Sequence, residues 1–114
     1  MDFDTLLDFI LPGSISGRAV SAFIDQALAA NPVRADWRSL QQWAELDASR
    51  VNVPVLLLQA EHDPLAMDDV HAQLFSELAT ADKVWAVIPG GDHAAFMETP
   101  RAYFLELIAA FVHL

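Results

Sequence analysis

Apolar positions along the chain follow two rhythms. From Met1 to Asp47 they recur at helical spacing. Phe3, Leu6, Leu7 and Ile10 fall at i, i+3, i+4 and i+7 behind Asp2 or Asp4 as cap, and Pro12-Gly13 ends that stretch. Ser14 or Ser16 opens a second helix to about Ala30, with Ala19, Val20, Phe23, Ala27 and Leu28 as its inward stripe and Ile24 beside them. Asn31-Pro32 closes it. A third helix starts at Asp36 and carries Trp37, Leu40, Trp43, Ala44 and Leu46. These aromatics read as core packing, ahead of the alternative of an apolar lid over a cleft.

The rhythm then changes. After a connector, Asp47–Asn52, the stretch Val53–Ala60 is almost continuously apolar, with no alternation. A strand apolar on both faces belongs in the middle of a covered parallel sheet. It runs into Glu61-His62-Asp63-Pro64, where Pro64 has no N–H for further pairing. A helix follows from about Asp68, a fair N-cap, to Ala79, with Val70, Leu74 and Leu78 on one face. Thr80-Ala81-Asp82 turns the chain into a second strand, Lys83–Ile88. Pro89-Gly90-Gly91-Asp92-His93 is a glycine-rich loop, and Thr99 with Pro100 opens a last helix lined by Phe104, Leu107, Ile108 and Phe111. Val53 and Lys83 lie about one βαβ unit apart, roughly 30 residues, so the two strands are expected to be parallel. Both then end on the same edge of the sheet, where α/β proteins bind their ligands.

Composition narrows the readings without choosing among them. The chain has 114 residues, 54% of them hydrophobic and 19% charged, which suits one folded domain. Its net charge of −10 argues against nucleic acid and anionic membrane surfaces as partners. No cysteine is present, which removes disulfides, thiolate metal sites and cysteine nucleophiles together. That absence is compatible with the cytoplasm, the expected location. The start MDFDTLLDF has neither the basic residues nor the small-residue cleavage site of a signal peptide, and no apolar run approaches the length of a membrane span.

The strand ends carry the candidate chemistry. Asp63 follows the first strand and His93 the second, so an acid and an imidazole sit on neighbouring loops. An aspartate that accepts Nδ1–H fixes the histidine tautomer and stabilises the imidazolium, so that Nε2 can act as a general base. His62 is given no role, and His71 and His113 read as helix-surface residues. Glu61, His62, Asp63, Asp92 and His93 lack a metal-ligand spacing, so no metal or other cofactor is expected.

At this point the stretch from Val51 to Val112 resembles the C-terminal part of an α/β-hydrolase: an apolar strand into QAEHDP, a helix, an apolar strand into PGGDHAAF, and a closing amphipathic helix. The family orders its triad nucleophile, acid, histidine. The resemblance implies that Asp63 is the triad acid and His93 the triad histidine. It implies one partial α/β-hydrolase domain over 1–114, with 1–47 as a helical cap-end or lead-in region and 48–114 as its strand–helix–strand–helix end. Ala60 and Asp92 stand where glycine is common in the family.

No nucleophile elbow accompanies them. Gly13-Ser14-Ile15-Ser16-Gly17 has Ile15 at its centre and no strand before it, and Ser21, Ser39, Ser49 and Ser76 have no elbow context. Two parallel strands also make a poor sheet by themselves. The expectation is therefore a portion of a larger hydrolase that cleaves an ester, amide or related bond of a small-molecule substrate through a serine, with the isolated chain inactive. The alternatives are a non-catalytic α/β module that self-associates through its open sheet edges, or a dehalogenase-type enzyme with a carboxylate nucleophile.

Overall fold

The structure, a computed structural model, describes residues 10–32 and 40–113. The expected first helix, apart from Ile10, and the start of the third lie outside the described residues. Helix α1 spans Gly17–Ala30, the single turn α2 spans Leu40–Trp43, and a 3-10 turn covers Ala48–Arg50. Strand β1 (Val55–Ala60), helix α3 (Asp68–Glu77), strand β2 (Lys83–Ile88) and helix α4 (Arg101–Val112) follow. Helices therefore accompany a two-stranded parallel sheet in register from Val55 opposite Lys83 to Ala60 opposite Ile88.

Local chemistry explains most of the boundaries. Ser16 caps α1 by accepting the Ala19 N–H at 3.2 Å. Asp47 caps the 3-10 turn through the Ser49 N–H at 3.0 Å. The first strand begins at Val55 rather than Val53, after Pro54, which has no N–H to give a ladder. Helix α3 takes Met67 as its N-cap, without a side-chain bond, so Asp68 lies inside the first turn instead of capping it. Its C-terminal end is closed from outside: Lys83, the first residue of β2, donates from Nζ to the carbonyls of Phe75 at 2.8 Å and Leu78 at 3.1 Å. A cation there also complements the helix dipole. Helix α4 starts one residue later than expected, with Pro100 as N-cap and no side-chain cap from Thr99.

Burial departs from the apolar pattern in an instructive way. The strand expected to be covered on both faces is half-buried from Val55 to Leu58 and buried only at Gln59 and Ala60. With two strands among the described residues, the sheet has too little on either side to cover the rest. Along α1, Val20 is buried and Ile24 half-buried, while Phe23 and Leu28 remain exposed. The packed interior is two small clusters. Ile10, Val20 and Ala94 form one, with Ile15, Ile24 and Met97 against it. Ala60, Ile88 and Ala95 form the other, with Leu58, Phe104 and Leu107 against it. Both clusters meet at Ala94-Ala95, beneath the loop that carries His93.

Candidate active site

The parallel pairing does not stop where the strands do. Glu61 N–H donates to the Ile88 carbonyl at 3.1 Å, and His62 N–H to the Gly91 carbonyl at 2.9 Å. The Glu61 carboxylate accepts the Gly90 N–H at 2.8 Å. Gly90 takes a positive φ of 68°, a conformation other residues adopt at a cost. Gly91 is crowded instead: a Cβ there would stand 3.0 Å from the Ala95 Cβ. The two loops thus leave the sheet side by side, which sets Asp63 and His93 opposite each other.

Asp63 is held by its own loop. Its Oδ1 accepts the N–H groups of Leu65 at 2.9 Å and Ala66 at 3.3 Å, an Asx-type turn around Pro64. That leaves Oδ2 facing His93 Nδ1 at 3.0 Å. The acid is sheltered, its side chain 10% exposed, while the imidazole stands 51% exposed at the mouth. Burial pushes the Asp63 carboxyl up, but the Leu65 N–H, the His93 imidazole and the Ala66 N–H outweigh it, and the group lies below the ordinary carboxylate value. An ionised aspartate on Nδ1 orients the ring and fixes its tautomer. This pair can take up and return a proton at the exposed end of the ring.

The neighbouring polar groups have other duties. His62 is exposed, with Nε2 3.5 Å from the Glu61 carboxylate, and stays outside the pair. Asp92 is buried, and its Oδ1 accepts the His93 N–H at 2.6 Å, bracing the backbone rather than the ring. His71 is half-buried against Trp85, edge-on at 6.1 Å, not a surface residue. No three His, Asp or Glu side chains among the described residues form a group able to hold a metal ion.

Two buried polar residues near the pair went unnoticed in the sequence. Gln59 accepts the Trp85 indole N–H at 3.0 Å and donates to the Ala66 carbonyl at 3.4 Å and to the Asp68 carboxylate. It thereby ties β1 and β2 to the loop that carries Asp63. Glu98 is fully buried and bonds to the loop that carries His93. Each had a faint signal: Gln59 interrupts an apolar strand, and Glu98 sits between Phe96-Met97 and Thr99-Pro100. An acidic recess of about 390 Å³ lies beside Asp63, lined in part by Gln59, Glu61 and Met67. A larger groove of about 550 Å³ runs between α3 and the 45–51 segment, and neither Asp63 nor His93 lines it.

A sheltered acid lies against an exposed imidazole, on adjacent loops after two parallel strands. Comparison with family models gives the class. The model described as serine aminopeptidase, S33, matches residues 22–100, and the chain belongs to that α/β-hydrolase family. Asp63 and His93 both fall inside the matched stretch. Comparison with curated proteins gives no match.

Proposed function

We propose that this chain supplies two of the three members of a serine-hydrolase triad, with Asp63 as the acid and His93 as the general base. The observation that carries the reading is the 3.0 Å contact from Asp63 Oδ2 to His93 Nδ1, with the acid sheltered and the ring exposed. In the complete reaction His93 takes the proton of a serine hydroxyl as that oxygen attacks an ester or amide carbonyl. It then returns the proton to the leaving group, and water releases the acyl group by the same route. Asp63 keeps the ring oriented and stabilises its charge in both steps. The strand–helix–strand–helix order of residues 55–112 suits the C-terminal part of a hydrolase sheet, with the N-terminal helices as the end of a cap. The family description favours amide bonds among the substrates.

Because no G-x-S-x-G elbow occurs in the sequence, the pure chain is expected to hydrolyse an activated ester no faster than its His93→Ala variant. Robust turnover lost in that variant would overturn this part of the reading. The catalytic assignment is tested by reading upstream of the Met1 codon for an in-frame elbow and expressing that longer chain. His93→Ala is expected to lower its kcat by about 10⁴-fold or more, and equal rates would sink the assignment. A second reading, an interaction module, draws on exposed Val84 and Val87 in β2. An upstream stop codon, together with a dimer by light scattering, would favour it.

A further inference from the structure

The fully buried carboxylate of Glu98 calls for an explanation, since it lies outside the Asp63–His93 pair and has a high desolvation cost. Both of its oxygens accept backbone N–H groups. Oε2 takes the Asp92 N–H at 2.7 Å, and Oε1 takes the Leu11 N–H at 3.0 Å. The first donor immediately precedes His93. The second belongs to the N-terminal segment, far away in sequence.

The turn between these groups is built to bring them together. Ala95 N–H donates to the Asp92 carbonyl at 2.9 Å, Met97 N–H to the Ala94 carbonyl at 2.8 Å, and Glu98 N–H to Ala94 at 3.2 Å. The chain from Asp92 to Glu98 therefore coils back until the Glu98 side chain meets the start of its own loop. A second tie lies alongside, where Ser14 Oγ accepts the Thr99 N–H at 3.0 Å. Ile10 and Val20 pack on Ala94.

We infer that Glu98 is a positioning residue for His93: its carboxylate clamps the Asp92 N–H and the Leu11 N–H together and so sets the imidazole against Asp63. It acts through the backbone and touches no reacting atom. The N-terminal segment thereby becomes part of what holds the histidine loop, and the alignment of the pair depends on that segment being docked. The inference deepens the catalytic reading of His93 and rests on it. Its test, however, reads the alignment of the pair and needs no activity.

In the 114-residue chain, hydrogen exchange followed by NMR is expected to find the Asp92 and Leu11 amides protected together, opening in one step. Rapid exchange of Asp92 while the sheet amides stay protected would overturn the proposal without any variant. Glu98→Gln keeps the shape but turns one acceptor into a donor facing an N–H. Its expected effect is an upward move of the Asp63 titration midpoint, followed by carboxyl ¹³C shifts, as the His93 contact loosens. Leu78→Val, a core change at the far end of α3, is the control, and its Asp63 midpoint is expected to stay where it is. A folded Glu98→Gln chain with an unmoved Asp63 midpoint would refute the clamp and leave the role of His93 standing. Should that variant not fold, the exchange data on the unaltered chain decide the matter. Failure of the catalytic reading shows separately, as hydrolysis by the longer chain that ignores His93→Ala.

Discussion

The loop after β1 and the loop after β2 end at the same place and are held there by different means. The acid loop is held mainly by near neighbours. Asp63 Oδ1 takes the N–H groups of Leu65 and Ala66, and Gln59, just before the loop, reaches Ala66 and Asp68 just after it. The histidine loop depends on distant chain. Leu11 and Ser14 bond to Glu98 and Thr99, and Ile10 and Val20 pack beneath Ala94. An acid that must be sheltered and ionised can be served by its own turn. An imidazole that must stand exposed and still point one way has to be braced from behind.

The largest expected effect comes from the residue the two loops share, the one place where a single change should loosen both. Ile88 is fully buried at the end of β2, and its carbonyl accepts from Glu61 on one loop and Gly91 on the other. Ile88→Ala should cost about 2–5 kcal/mol, measured by denaturant unfolding, with both loops losing amide protection. A smaller and one-sided effect is expected at Gly90, whose positive φ penalises any Cβ. Gly90→Ala should cost about 1–2 kcal/mol, and chemical-shift changes should concentrate around residues 90–99 while Leu65 and Ala66 stay in place. Equal changes in both loops would break the distinction drawn above.

The smallest effect concerns the acid loop alone and appears with pH. The Asp63 carboxyl titrates below its ordinary value in the folded chain, as burial is outweighed by the Leu65, His93 and Ala66 contacts. A depressed folded-state pKa adds stability above the unfolded value, near pH 4, and that stability is lost as pH falls through the folded value. Unfolding free energy should therefore decline below about pH 4 in the unaltered chain. Asp63→Asn should remove that part of the decline, in a comparison of unfolding curves between pH 3 and pH 6. A decline of the same size in both chains would mean that the carboxylate contributes nothing to the loop.

The sequence disclosed one of these loops better than the other. Aspartate before proline at the end of an apolar strand announces a turn, and the bonds that make the turn join residues two and three positions on. Strand spacing placed the pair, since two parallel strands of equal length must deliver Asp63 and His93 to one edge. Helical periodicity did less well. Phe23 and Leu28 in α1 fall on the apolar stripe yet remain exposed, because periodicity identifies a face and not the surface that meets it. Ser14 was legible only as a candidate helix cap and Glu98 only as an acid among apolar neighbours, and the partners they find lie far off along the chain.

By itself, then, the sequence determined what is local or periodic: a serine cap at Ser14 or Ser16, the two parallel strands, the turn at Asp63 and the glycines that let the next loop fold. The register Ala60 to Ile88 carried those local decisions to a shared edge. Only the tertiary structure decided what stands behind His93. The docking of residues 10–20 on the 92–99 turn depends on shape and on two backbone donors that meet one buried carboxylate. Such a contact joins groups whose distance along the chain is unrelated to any repeat, so it becomes visible only when the chain has closed on itself.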